Sequence, residues 1–60
     1  MSTVLTISEV AERLKMSKST IYKYAERSLI PSFKIGTARR FFEEEIENYL
    51  QNMVKQQRNI

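Results

Sequence analysis

Two helix-start signals, Thr6 with Glu9 and then Ser17, lie so close together that they dictate most of what this 60-residue chain can become. Thr6-Ile7-Ser8-Glu9 has capping-box spacing, so a helix is expected from Ile7, with Val10, Ala11 and Leu14 on one face. Ser17 then caps a second helix that turns Ile21, Tyr24 and Ala25 inward and Lys18, Ser19, Tyr22 and Lys23 outward. The turn between them is confined to two or three residues around Lys15 and Met16. Expected bounds are about 7–15 and 18–27.

After Arg27 the pattern changes, because Ile30-Pro31 cannot continue a helix and the residue before proline prefers an extended backbone. The run SFKIGTARRFFE alternates around the single glycine, Gly36, which predicts a hairpin over about 32–42. A third helix over about 44–56 carries Ile46, Tyr49, Leu50, Met53 and Val54 on one stripe. Glu43, Glu44 and Glu45 stand at its positive N-terminal end, which accounts for them without a cation site. The segment KQQRNI is expected to fray. No repeat, linker or low-complexity segment divides the chain, so residues 1–60 are read as one domain, mainly α with a small β-hairpin wing: a winged helix-turn-helix of three helices.

A chain this short buries only about 60% of the surface exposed when unfolded, leaving little room for a deep catalytic cavity. It has neither Cys nor His, so thiolate chemistry, disulfides, the usual zinc sites and the commonest general base are missing. Catalysis is therefore not expected, nor is a cofactor or bound metal. No segment has the length and apolarity of a membrane span, and MSTVLTISEV lacks the features of a signal peptide, which makes the cytoplasm the expected location.

Charge supplies the functional direction. Residues 1–40 hold eight Lys/Arg against three Glu, whereas residues 41–60 hold two against four. A basic body suits double-stranded DNA, because cations that neutralise phosphates release counterions. A helix entering the major groove needs a second helix braced across its back and a tight turn that leaves its first turn protruding, and the opening segment meets both needs. Ser17, Lys18, Ser19, Thr20, Tyr22 and Lys23 offer the hydroxyls and amines that bind phosphates and base edges. The competing reading is a helical hairpin with a solvated polar face. Around Gly36, the donors Lys34, Thr37, Arg39 and Arg40 suit a β-wing that follows a phosphate strand; an ordinary charged hairpin competes with that reading. Phe33, Phe41, Phe42, Tyr24 and Tyr49 are expected in the core, with Tyr22 as the outward exception.

With these residues in place, the chain resembles the excisionase-like, MerR-related winged helix-turn-helix proteins from Leu5 to Leu50. LTISEVAERLKMSKSTIYKYAERSLIP resembles the family's helix pair, FKIG its strand into the wing, and RRFFEEEIENYL its return strand and closing helix. The resemblance implies that Ser17, Lys18, Ser19, Thr20, Tyr22 and Lys23 face the major groove and that Lys34, Thr37, Arg39 and Arg40 belong to the wing. Two glycine positions and the wing tip depart from the family pattern. Lys15 stands where glycine is usual, so a left-handed backbone there costs roughly 1 kcal/mol. Ser28 stands where glycine commonly precedes the pair that is here Ile30-Pro31, which bears on the exit from the second helix. The tip Thr37-Ala38 is less basic than the Arg-rich tips of the family.

The resemblance implies a sequence-specific DNA-binding accessory factor: a recombination directionality factor of a mobile element that assists an integrase, or a small transcriptional regulator. Cooperative self-association on DNA is expected with either role. A reading of another class is a protein-interaction adaptor that uses the third helix.

Overall fold

The computed structural model describes residues 3–57; Met1 and Ser2 lie outside the described residues, as do positions 58–60 of the segment expected to fray. The elements run β1 (Val4–Thr6), α1 (Ile7–Leu14), α2 (Lys18–Glu26), β2 (Phe33–Ile35), β3 (Ala38–Phe42) and α3 (Glu43–Gln57). Three helices and a small antiparallel sheet make a winged helix-turn-helix. Helix α3 is already underway at Glu43 and continues to Gln57, so part of the segment expected to fray is helical.

Both expected caps form. Thr6 Oγ1 accepts from the Glu9 amide at 3.2 Å, and Glu9 Oε1 accepts from the Thr6 amide at 2.8 Å. At α2, Ser17 Oγ accepts from the Thr20 amide at 3.2 Å. The two helices also end alike. Lys15 at φ 56° and Ser28 at φ 60° adopt left-handed backbone, the two non-glycine residues to do so among those described. Met16 N donates to Ala11 O at 2.9 Å, and Leu29 N donates to Tyr24 O at 2.9 Å, so each helix closes with a long bond across a left-handed residue. The two departures from the family's glycines thus keep the glycine geometry without the glycine.

Strand β1 is an element that sequence reasoning left out, because three residues carry too short an alternation to register. It lies beside β3, pairing Leu5 with Phe41 and Thr6 with Arg40, while β2 lies on the other side, pairing Lys34 with Arg39 and Phe33 with Arg40. The β2–β3 turn is Gly36-Thr37, with Gly36 at φ +62° and open space around it. This register places Leu5 and Phe41 on the inner face. They join Val10, Ala11, Ile21, Ala25, Ile30 and Ile46 in the core, with Ile7, Leu14, Met16, Tyr24 and Tyr49 packed at its edge.

Two expected core aromatics do not belong there. Phe42 is 36% exposed, and Phe33 stacks on it with ring centroids 4.6 Å apart on the outer face of the sheet. Strand alternation is the reason: once Phe41 points inward, its neighbour must point out. The apolar stripe of α3 is likewise used mainly in its first half, where Tyr49 packs at the edge of the core. Ile46 is buried, whereas Leu50 and Val54 are each 42% exposed. A 15-residue helix is about 22 Å long. It outruns the small core and contributes to a longest dimension of 43 Å. Near its start it is tied to α1 by Arg13, whose Nη2 lies 2.7 Å from Glu43 Oε2.

Lys15→Gly and Ser28→Gly are each expected to raise stability by about 1 kcal/mol in denaturant unfolding, by relieving left-handed strain. Phe41→Ala is expected to cost about 4 kcal/mol, enough to unfold most of a domain this small. Phe42→Ala is expected to cost about 1 kcal/mol, since its ring is only stacked and half-exposed.

Candidate nucleic-acid interface

The first turn of α2 contains no acidic residue, so its free amides and the positive end of the helix dipole are open to an anion. Ser17 and Thr20 are partly committed to capping, their hydroxyls 2.8 Å apart. Lys18, Ser19, Tyr22 and Lys23 are exposed. Together with Ile7, Glu26 and Arg27 they line a shallow cleft along the outward face of the helix. Behind this face, Ile21 and Ala25 are buried in the core, so the helix is braced from the rear as major-groove entry requires.

The hairpin divides its donors. Lys34, Gly36 and Thr37 are exposed around the tip. Arg40 lies on the outer face, opposite Thr6 and Phe33, and its Nη1 donates to the Arg39 carbonyl at 2.9 Å. Arg39 turns the other way, toward α2, and its side chain is only 13% exposed. Its Nη1 donates to Ser32 Oγ at 2.7 Å, and its Nη2 lies 3.6 Å from Glu26 Oε2. The guanidinium carbon is 5.9 Å from the centroid of the Tyr22 ring, within cation–π range. Arg39 therefore joins the wing to the outward face of α2.

The Glu26 carboxylate beside the Tyr22 hydroxyl accepts its hydrogen bond and, as a negative charge, further disfavours the phenolate; slight burial acts in the same direction and Arg39 opposes it. The tyrosine pKa is consequently raised above its usual value, and the phenol keeps its proton at neutral pH.

Glu26, Ser32 and Ile7 were missed as parts of this surface. Glu26 follows Tyr22 by one helical turn, so its place on the same face was readable from spacing. Ser32 and Ile7 carry no such signal, because only the folded chain brings them beside Arg39 and α2.

The chain matches, over residues 4–54, a family model described as a helix-turn-helix domain. It belongs to this excisionase-like helix-turn-helix family of DNA-binding domains, which is not a family of enzymes. It is also similar to the uncharacterised protein YvgK of Bacillus subtilis, 40% identical over 48 residues that cover 80% of this chain. The matched segment is 16% of that protein, so the chain spans about a sixth of the length of this curated relative. No solved structure matches the chain. Among the described residues, no helix is long and apolar enough to cross a membrane.

Arg39→Lys keeps the charge and loses the planar fork that reaches Ser32 and Glu26 together. Its expected cost is about 1 kcal/mol, the value of the Ser32 hydrogen bond, seen as a fall of roughly 4–8 °C in Tm. Glu26→Gln is expected to shift Tm much less, because an ion pair with a half-exposed partner contributes little.

Proposed function

We propose that this DNA-binding helix-turn-helix chain is a sequence-specific accessory factor on double-stranded DNA, acting in the cytoplasm as an excisionase-like directionality factor of a mobile element. The observation that carries this reading is the exposed outward face of α2, with Lys18 and Lys23 on it, beside a hairpin bearing Lys34, Arg39 and Arg40. In this reading Ser17, Lys18, Ser19, Thr20, Tyr22 and Lys23 face the major groove. Lys34, Thr37 and Arg40 follow the adjacent backbone, while Arg39 holds the hairpin against α2. A sixty-residue segment with this surface acts by occupying or bending DNA and by touching a neighbouring protein such as an integrase. Regulation of transcription in a mobile element uses the same surface and is the nearest alternative.

The exposed Leu50 and Val54 favour a second reading, in which α3 contacts a protein partner. This is compatible with DNA binding, since it uses a different element. Under a pure adaptor role, Lys23→Ala and Arg40→Ala would leave partner binding intact, and the chain would retain no DNA.

The test is retention of duplexes from a random-sequence pool, and of the chain's own flanking genomic fragments, across a salt series. One site held over competitor DNA, with affinity falling steeply as salt rises, is the expected result. Lys18→Ala and Lys23→Ala are each expected to weaken binding, and loss of a phosphate contact reduces the salt slope by about 1. A second adjacent copy of the site is expected to tighten binding per site; an unchanged affinity would rule out cooperative self-association.

A further inference from the structure

The outward face of α2 carries one large ring among its amines and hydroxyls. Tyr22 is 47% exposed, yet the groups around it restrict its orientation. The Arg39 guanidinium sits 5.9 Å from the ring centroid, and the Glu26 carboxylate faces the hydroxyl. Arg39 is itself anchored by Ser32 at 2.7 Å, so the brace reaches back to the segment that precedes β2. The ring and Ile7 form apolar parts of the shallow cleft, with Lys18, Lys23 and Arg27 along it.

A duplex shows the major groove mostly hydrogen-bonding groups, and thymine adds an apolar one, its 5-methyl. Ser19 and Lys23 can bond to several bases and to phosphates alike, so they discriminate weakly. A fixed ring beside an aliphatic side chain discriminates differently, because it offers an apolar surface to a methyl group.

We propose that Tyr22 is a specificity-determining residue, its ring receiving a thymine 5-methyl in the cleft beside Ile7, and that Arg39 and Glu26 are positioning residues that hold the ring. This rests on the proposed entry of α2 into the major groove.

The experiment replaces each thymine of the selected duplex, one at a time, by uracil, which removes the methyl and leaves base pairing in place. With the wild-type chain, one uracil substitution is expected to weaken binding about fourfold, the worth of a single methyl group removed from water. In Tyr22→Ala the same uracil substitution is expected to have no effect. In Arg39→Lys the thymine-to-uracil ratio is expected to fall to about half its wild-type value, a change that general destabilisation of the fold would not produce. If no uracil position affects the wild type, or if the penalty survives in Tyr22→Ala, the thymine assignment is overturned while the DNA-binding reading stands. An unchanged ratio in Arg39→Lys overturns the positioning role. If no duplex is retained from the pool at any salt, the groove-entry reading and this inference fall together.

Discussion

The burial of Phe41 at the centre of the sheet is the contact on which the other elements depend. Its strand is hydrogen-bonded on both sides, to β1 through the Leu5 register and to β2 through Lys34 and Arg39. With Phe41 fully buried, β3 is fixed against the helix pair and leads directly into α3. The Glu43 amide at that junction donates to the Thr3 carbonyl at 2.8 Å, so the start of the chain closes over the strand-to-helix corner. Among the eight core residues of the described chain, one aromatic of this size supplies a large share of the buried apolar area.

From that anchor, local backbone chemistry sets the angle at which α2 is presented. Thr6 and Ser17 start the two helices, and left-handed Lys15 and Ser28 end them. Each left-handed residue costs strain that a glycine would avoid, but each closes its helix abruptly enough to send the chain back over the core. Ile21 and Ala25 can then be buried while Lys18, Ser19, Tyr22 and Lys23 remain outside. Tight termination and the outward presentation of these four side chains are the same structural event viewed from the two sides of α2.

The hairpin is attached by different physics. Its outer face holds the stacked Phe33 and Phe42 pair and an exposed Ile35, so apolar burial does little to press its far end onto α2. Arg39 makes that connection instead, with one nitrogen on Ser32, another near Glu26 and its plane by Tyr22. A guanidinium suits the role because its rigid fork can serve two acceptors while its weakly hydrated face lies against a ring. The wing and α2 are thereby joined through polar groups that are themselves part of the candidate interface.

Helix starts, the tight turn after α1, the proline break and the Gly36 turn were all legible in the sequence, because each depends on residues a few positions apart. The two caps and the hairpin pairing follow directly from Thr6-to-Glu9, Ser17-to-Thr20 and the residues flanking Gly36. Short-range alternation could not say which of Phe41 and Phe42 faces inward, since a strand read in either phase places one aromatic on each face. Pairing with Leu5 of β1 decided it, and β1 is too short to announce itself. The exposure of Leu50 and Val54 was hidden for a related reason: an amphipathic stripe shows which side of a helix is apolar, not where the core beneath it ends. Arg39 shows the same division within the candidate interface. By itself the sequence determined that a basic residue stands near the wing; only the tertiary structure turned it toward Ser32, Glu26 and Tyr22, because those partners come from separate parts of the chain.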